Sequence, residues 1–318
     1  MFIYVLNKLL SLLVWLRYGK LPVNIKYYYR HTYMCQLRQW RFVIRDYFIK
    51  KPYKEISFSG EFGAELMFAL PFAYWHHLNG TLKNTTSSLF TKEFYFFSPD
   101  HTEKFTARSD EGNYNFDLPR ILYSQDYDME KWVRVPLKEH YKNDFFVFDK
   151  PILIIANRYN TEWDGPPVSF FSLEILDEMI TTLKDKFTII YNRPKPQHLV
   201  PDHSLTYDLK DYEWIAEHHP EIHILSEMYR DNPHNAHHFN HFQMMAYSNA
   251  DHFISIHGGT ATFASYFGGT NLIFSKQGPE HHFHCFTKLF PQLSGAAILH
   301  AKTEDELRAY INSHFTKN

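Results

Sequence analysis

The sequence predicts an α/β protein with parallel sheets. From residue 151 onward, short apolar runs alternate with segments of helical period, and this alternation is typical of parallel strands joined by helical crossovers. Glycine-rich or polar turns directly follow several of the apolar runs. Before residue 151 the alternation is weaker, but 318 residues are long enough for a second domain.

The pattern divides the chain into three segments. Residues 1–50 contain an apolar helix and a basic, aromatic connector, which could equally be the first helix of the globular body. Residues 51–150 are expected to form a smaller α/β unit, and residues 151–318 a Rossmann-like unit with several strands. We therefore expect two Rossmann-like units that face each other across a cleft.

Each element has its own local signal. In the smaller unit we predict strands at 55–59 and 94–97, a helix at 64–78 that Pro71 could kink, and irregular structure at 100–145. In the larger unit the predicted strands are 152–156, 187–191, 222–225, 253–256, 272–274 and 297–299. The predicted helices there are 173–183, 212–219, 239–248, a short helix that begins near Thr260, and 303–315, where Thr303 and Glu306 have capping-box spacing.

Composition excludes some classes of function. The net charge is −2 and the pI is near 6.9, which argues against a nucleic-acid binder with a basic face. Cys35 and Cys285 are the only cysteines, so we expect no disulfide framework and a reducing compartment.

The N-terminal 18 residues are strongly apolar. Phe2–Tyr18 is rich in leucine and lacks a small-residue cleavage site, and positive charges stand at its end and beyond it, such as Arg17 and Lys20. The apolar run is slightly short for a perpendicular span of about 20 residues. We expect residues 1–20 to lie on a membrane surface or to anchor there, with the body on the cytoplasmic face. The alternative is a soluble helix packed on the body.

The run from Asp251 to Phe274 predicts a buried strand, a glycine turn, a short helix and a second strand. Gly258 and Gly259 would free the backbone, and Thr260 would lie in the first turn of the helix. Unpaired N–H groups and the positive end of the helix dipole favour an anion at such a position. In the alternative interpretation, the glycines only permit close packing of a strand–helix–strand unit.

Polar side chains follow three predicted strands of the larger unit. Because the carboxyl ends of parallel strands share one edge of a sheet, these side chains should converge on a diphosphate, with arginine forming forked hydrogen bonds to it. The residues predicted to bind the ligand that carries this diphosphate are Asn157, Arg158, Arg193, Lys195, His257, Gly258, Gly259, Thr260 and Glu280.

Two stretches carry a family resemblance. The run from Ser248 to Ile273, with His257-Gly-Gly-Thr-Ala-Thr at its centre, resembles the donor-binding segment of glycosyltransferases with the GT-B fold. Ser59-Gly-Glu-Phe-Gly-Ala-Glu-Leu is similar to a glycine-rich acidic turn near the start of bacterial surface-polysaccharide transferases. The resemblance implies that the glycine turn and the helix start hold a nucleotide sugar.

Carboxylates in the expected cleft are candidates for the general base. Glu61 lies in the first strand-to-helix turn, where sugar transfer with inversion would need a group that accepts a proton from the acceptor hydroxyl. The alternative is that Glu61 caps the following helix. Asp164 is a second candidate, and Trp163 beside it could stack on a sugar ring.

The 21 histidines raise the question of a metal site. His237 and His241 stand four residues apart, and His281, His282 and His284 precede Cys285, but no paired-cysteine motif or clear carboxylate partner accompanies them. The Asp208-Leu-Lys-Asp stretch does not form the DxD-type motif of metal-dependent transferases. We therefore predict no metal site, no cofactor and a metal-independent reaction.

These observations predict a membrane-associated glycosyltransferase. Its donor would be a nucleotide sugar and its acceptor a glycan or a lipid-linked saccharide. Two alternatives stay open, because fold does not determine function. One is a pyruvyl-type or other group transferase on the same fold, and the other is a non-catalytic glycan-binding protein.

Overall fold

A computed structural model of the chain describes residues 2–119, 127, 129–162 and 165–316. The described residues form two sheets, and every strand pair in both is parallel. The strands are β1 (Lys54–Ser57), β2 (Leu82–Ser88) and β3 (His101–Phe105) in the first sheet, and β4 (Ile152–Ala156), β5 (Thr188–Asn192), β6 (His223–Ile224), β7 (His252–Ile256), β8 (Thr270–Phe274) and β9 (Ala297–Ala301) in the second. The predicted α/β class is confirmed.

Helices connect these strands and precede them. They are α1 (Phe2–Tyr18), α2 (Val23–Trp40), α3 (Phe62–Ala64), α4 (Leu70–Leu78), α5 (Leu137–Tyr141), α6 (Leu173–Leu183), α7 (Asp211–His218), α8 (Leu225–Asp231), α9 (Phe239–Ser248), α10 (Gly259–Ala264), α11 (Pro279–His282), α12 (Cys285–Lys288), α13 (Phe290–Ser294) and α14 (Glu304–Tyr310). Wider π-helical turns cover Ile44–Ile49, Glu65–Ala69 and Ile311–Phe315.

The larger sheet reverses its strand order in the middle. Its order is β6-β5-β4-β7-β8-β9, which becomes 3-2-1-4-5-6 when the strands are counted from β4 as the first. Apolar clusters cover both faces, as in doubly wound sheets. Ligands of such sheets bind outside the carboxyl ends of the strands at the point of reversal, which here lies between β4 and β7.

One hydrophobic core joins the larger sheet to the smaller one. Successive side chains of β4 point to opposite faces, so Ile154 belongs to one buried cluster and Ile155 to the other. The cluster that contains Ile154 continues to Ile56 and Phe58 beside β1. Continuous apolar packing therefore crosses the boundary that we predicted near residue 150.

The smaller sheet differs from its prediction. β1 lies close to the predicted strand at 55–59, but residues 94–97 form turns and not a strand. The strands β2 and β3 were not predicted from the sequence, because their residues are mostly polar. These residues are Leu-Lys-Asn-Thr-Thr-Ser-Ser in β2 and His-Thr-Glu-Lys-Phe in β3. A strand with few apolar residues gives only a weak signal of alternation.

The helix predicted at 64–78 begins two residues earlier and widens before Pro71. Leu70 donates its N–H to the carbonyl of Glu65 across a π-helical turn. Proline has no N–H for the carbonyl four residues earlier, and Trp132 Nε1 donates to that carbonyl, on Met67, at 2.8 Å. The widened turn is thus built into the interface with neighbouring segments.

Most predicted elements of the larger unit are present within one or two residues of their expected ends. Thr303 Oγ1 accepts a hydrogen bond from the N–H of Glu306 at 3.2 Å, as the capping spacing predicted. The sequence pattern did not predict α8 or the three short helices α11, α12 and α13. Each of these helices has seven residues or fewer, too few to show a clear helical period.

The N-terminal helices pack on the body along a narrow seam. Leu10 and Val14 of α1 are buried, whereas Leu9, Leu12 and Leu16 on its other sides are exposed. Among the described helices, none combines the length and the apolar character that crossing a bilayer requires.

The connector after α2 is fixed to the body by a buried charge. Asp46, in the π-helical turn Ile44–Ile49, is fully buried. It accepts hydrogen bonds from Lys131 Nζ at 2.5 Å and from the Tyr53 hydroxyl at 2.6 Å. This part of residues 1–50 therefore belongs to the globular body.

Candidate functional site

The carboxyl ends of β4 and β7 bring an arginine over a glycine. Arg158 follows β4, and a side chain at Gly258 would come within 2.7 Å of the Arg158 Nη1 atom. Gly258 has φ +80° and ψ −148°, a combination that favours glycine. Among the described residues, none forms a hydrogen bond or salt bridge with the Arg158 guanidinium. Its donors can therefore serve an anionic ligand.

The first residues of α3 and α10 meet at this place. A Cβ atom on Gly63 would lie 3.4 Å from the Cα atom of Gly259. A Cβ atom on Gly259 would lie 3.1 Å from Cδ1 of Phe62. The two glycine turns that the sequence singled out are therefore in contact across the two units. A side chain at Gly259 would require Phe62 to shift by a few tenths of an ångström, whereas a Cβ atom at Gly63 would make an ordinary van der Waals contact.

Glu61 lies at the start of α3 without capping it through its side chain. Its backbone is extended, and its carboxylate makes no hydrogen bond to the helix N–H groups. Potential ligand atoms of Glu61, Asp110 and His203 lie within 4.8 Å of one another. Burial and the neighbouring Asp110 carboxylate raise the pKa of Glu61 above its usual range, because both disfavour its negative charge.

His257 forms part of a buried polar chain behind the glycine turn. Its Nε2 atom lies 3.3 Å from Oε2 of Glu162, and its Nδ1 atom lies 2.7 Å from Oγ of Ser275. Ser275 Oγ in turn lies 2.9 Å from Nε2 of His281. Burial alone would raise the pKa of Glu162, but His257 and Arg158 bring it below its usual value. Glu162 therefore carries negative charge beside the predicted anion site.

Glu162 and Ser275 were not among the site residues that we predicted from the sequence. Glu162 directly precedes Trp163 and Asp164, both of which lie outside the described residues. The predicted role of Asp164 as a catalytic carboxylate thus has no structural description. A polar residue directly after β8 was the one available signal for Ser275, and a single serine is a weak signal.

Arg193 is engaged in a buried salt bridge. Its Nε atom donates to Asp211 Oδ2 at 2.6 Å, and its Nη2 atom donates to the other oxygen of the same carboxylate. The Tyr191 hydroxyl also donates to Asp211. In this conformation the forked face of Arg193 is used by Asp211 and is not open to the diphosphate for which we predicted it. Lys195 lies close by, with Nζ 4.8 Å from the ring centre of Tyr212.

Asn157 positions the backbone and not a ligand. Its Nδ2 atom donates to the Phe171 carbonyl at 3.0 Å and to the Tyr191 hydroxyl at 3.1 Å. Its Oδ1 atom accepts from the backbone N–H groups of Arg158 and Phe171 at 2.9 and 3.0 Å. These bonds use all the hydrogen-bonding groups of a fully buried amide, so Asn157 orients Arg158.

The remaining predicted donor residues lie in two places. Thr260 is half-buried in the first turn of α10, next to Gly258 and Gly259. Glu280 is half-buried in α11. Burial raises the pKa of Tyr127, and Cys285 and Glu280 add to that effect. Thr260 therefore lies at the glycine turn, whereas Glu280 interacts electrostatically with Tyr127.

Two groups of side chains in the described part of the chain could hold a metal ion. One comprises Glu61, Asp110 and His203, near the start of α3. The other comprises Glu93, His237 and His241. Folding thus supplies the carboxylate partner that the sequence around His237 and His241 lacks.

Comparison of this chain with known protein families, with curated proteins and with solved structures found no match.

Proposed function

We propose that the protein is a glycosyltransferase with a GT-B-like arrangement, which moves a sugar from a nucleotide-sugar donor to a glycan or a lipid-linked acceptor without a catalytic metal. One observation carries the proposal. The strand order reverses between β4 and β7, and the Arg158 guanidinium, which forms no hydrogen bond or salt bridge with the described residues, lies there over Gly258. Anionic ligands of doubly wound sheets bind at this position.

Arg158 would hold the diphosphate of the donor. Its planar guanidinium can form two parallel hydrogen bonds to phosphate oxygens, and the absence of a Cβ at Gly258 lets a ligand approach the backbone closely. Thr260 and the first N–H groups of α10, next to Gly258, supply further hydrogen-bond donors. As the sugar–oxygen bond breaks, these groups would stabilise the charge that develops on the leaving diphosphate.

Glu61 would act as the general base of an inverting transfer. The acceptor hydroxyl would give its proton to the Glu61 carboxylate while its oxygen attacks the anomeric carbon, and the diphosphate would leave with the electron pair of the broken bond. A raised pKa brings a carboxylate closer to the operating pH, which makes it a better base. The lack of a side-chain cap bond at α3 favours this role over helix capping.

The exposed face of α1 supports a peripheral position on the cytoplasmic face of a membrane. Eight large apolar side chains of this helix are exposed, namely Ile3, Tyr4, Val5, Leu9, Leu12, Leu13, Trp15 and Leu16. Apolar patches of this extent mark interaction surfaces. Lys8 and Lys20 lie in or beside the same segment and suit anionic headgroups.

A thermal-shift panel with UDP-, GDP-, CMP- and dTDP-sugars tests the donor class. A true donor at about 100 times its dissociation constant should stabilise the protein by roughly 2.7 kcal/mol. Product analysis with the labelled donor then tests transfer. Nucleotide binding without sugar transfer would point to another group transferase, and saccharide binding without nucleotide affinity to a non-catalytic protein.

The substitution Glu61→Gln tests the chemical step. It keeps the size of the side chain but cannot accept a proton at neutral pH. We expect turnover to fall by about 10²–10⁴-fold, with donor binding nearly unchanged. A fully active Glu61→Gln enzyme would contradict the assignment of Glu61 as the base.

A further inference from the structure

A cluster of histidines meets a buried carboxylate where the two units touch. Glu93 lies in the turns between β2 and β3 of the smaller unit. His237, His238 and His241 lie at the start of α9 in the larger unit. Glu93 and His237 are 144 residues apart in the chain, so only the packing of the two units brings these groups together.

The contacts within this cluster are specific. Nδ1 of His237 lies 2.8 Å from Oε1 of Glu93, and Nε2 of His238 contacts the other carboxylate oxygen. Nδ1 of His238 accepts the N–H of His241 at 3.4 Å, so its Nε2 atom carries the proton that Glu93 accepts. Ligand atoms of Glu93, His237 and His241 all lie within 4.8 Å of one another.

The carboxylate of this cluster is buried between imidazole rings. Glu93 is only 7% exposed, and the hydrogen bonds to its side chain come from His237 and His238. A cation bound beside this carboxylate would add a full positive charge next to it, which favours its burial.

We propose that Glu93, His237 and His241 bind a divalent cation of the zinc class, which links the smaller unit to the larger one. Two imidazole nitrogens and one carboxylate oxygen form a ligand set that zinc uses, with a water molecule as the fourth ligand. Zinc–ligand distances of about 2.0–2.2 Å require the ligand atoms to lie closer together than 4.8 Å, so binding would need the side chains to rotate toward one another. Binding would replace the His237–Glu93 hydrogen bond, and the proton of that bond would move to Nε2 of the His237 ring.

His238 is a positioning residue in this proposal. By donating to one oxygen of Glu93 it leaves the other oxygen, which faces His237, for the cation. Partners of this kind around a metal site fix the orientation of the ligands.

The backbone on both sides of the cluster is held in place. The Tyr141 hydroxyl donates to the Glu93 carbonyl at 2.5 Å, and Asn240 Nδ2 donates to the Phe90 carbonyl at 2.9 Å. The Tyr141 ring also contacts the ring of His241, with centres 5.4 Å apart. The ligands therefore come from segments whose relative position is already set, which lowers the entropy lost on binding.

The inference does not depend on the proposed transferase function. Glu93 precedes Phe94, whose ring packs on both Phe62 and Phe263 between the units. The cation would therefore stabilise the interface between the two units near Phe62 and Phe263, and it would take no part in the sugar transfer.

The full-length protein, stripped with a chelator and then titrated with Zn²⁺ and separately with Co²⁺, tests the site. We expect one tightly bound ion per chain, a rise in Tm with Zn²⁺, and the visible absorption of tetrahedral Co²⁺. His237→Ala removes a ligand from an exposed position and should abolish the Co²⁺ spectrum and the rise in Tm. His238→Asn keeps an N-cap acceptor but removes the contact with Glu93, and should lower affinity by about 10–100-fold.

Two control variants separate this site from other metal binding. His234→Ala removes an exposed histidine just before the cluster, and His203→Ala disrupts the other candidate group; both should bind Zn²⁺ and Co²⁺ as the wild type does. If folded His237→Ala binds the ions as tightly as the wild type, or if wild type and His237→Ala both fail to bind, the proposal is wrong. Glu93→Gln, which keeps the size of the side chain, gives the same test if His237→Ala does not fold.

Discussion

Arg158 and Arg193 show how folding separates two residues that the sequence presents alike. Both lie just beyond the carboxyl end of a buried strand of the same sheet. Arg158 has no hydrogen-bonding partner among the described residues, whereas Arg193 donates two hydrogen bonds to the buried carboxylate of Asp211. The side chain that is free to bind a ligand is therefore Arg158.

Substitution of each arginine should affect a different property. Arg158→Ala should weaken binding of the nucleotide-sugar donor by about 1.5–3 kcal/mol, the usual value of a charged hydrogen bond. Arg193→Ala should lower the free energy of unfolding by about 3–5 kcal/mol, because it leaves the Asp211 charge buried without its partner. Calorimetric titration with the donor and urea unfolding measure the two effects. A folded Arg158→Ala protein with unchanged affinity would argue against the diphosphate assignment.

The carboxylate of Asp110 should control the titration of Glu61. Asp110 helps raise the pKa of Glu61, so Asp110→Asn should lower that pKa. If Glu61 acts as a base in its ionised form, the acidic limb of the pH profile of kcat/KM should move to lower pH. Asp208→Asn is the matched control, because Asp208 is exposed and pairs with Lys210. A limb that stays in place in Asp110→Asn would separate Glu61 from the catalytic titration.

At the scale of the element, α1 has one buried seam and a wide exposed apolar surface. Leu10 and Val14 face the body, and Leu9 and Leu16 are 58% and 70% exposed. A helix that needed only to pack on the body would have polar residues on its outer side. The outer side of α1 is therefore the surface to which we assign the proposed membrane association.

Charged residues on that outer side should reduce membrane binding without loss of the fold. The double variant Leu9→Glu and Leu16→Glu removes two apolar groups, each worth about 1.5–3 kcal/mol when fully buried, and adds charges that anionic lipid repels. We expect at least a tenfold loss of binding in sedimentation with anionic vesicles, at unchanged Tm. Val14→Glu is the contrasting variant, which should lower Tm because it places a charge in the core. Equal vesicle binding by wild type and the double variant would contradict the membrane assignment.

Histidines with lowered pKa values occur throughout the molecule. Burial lowers the pKa of histidines in both units, namely His76, His101, His140, His198, His223, His241, His252, His281 and His300. The effect is largest at His76, which is fully buried and whose pKa falls to about 2. Its Nδ1 atom lies 2.7 Å from the hydroxyl oxygen of Thr81.

Acid should therefore destabilise the protein well above the pH at which most carboxylates titrate. In the unfolded chain a histidine binds a proton near pH 6.5, whereas the folded chain keeps His76 neutral down to a pH of about 2. Below pH 6.5 the unfolded state then holds more protons than the folded state. The contribution of His76 to the free energy of unfolding is therefore fully present above pH 6.5 and falls as the pH decreases below it. Urea unfolding from pH 7.5 to pH 5 measures this loss. His76→Gln should show a shallower pH dependence, and an equal dependence would assign the effect to other groups.

The sequence alone was sufficient for most of the larger unit. Its strands are runs of apolar residues, as in Ile152–Ala156, and its last helix begins with a capping pattern at Thr303 and Glu306. Both signals are local, because they depend on residues a few positions apart. The same holds for Gly258, where the positive φ restricts the choice of residue and so makes the turn visible in the sequence.

Only the tertiary structure decided which side chains act together. Glu93 meets His237 from 144 residues away, and Gly63 meets Gly259 across the two units, yet nothing in the neighbouring sequence of any of these residues indicates its partner. The polar strands β2 and β3 were likewise recognisable only once they paired with each other and with β1. Strand pairing, ion pairing and ligand sets depend on distances that the folded chain sets, whereas apolar period and helix capping are local properties of the sequence.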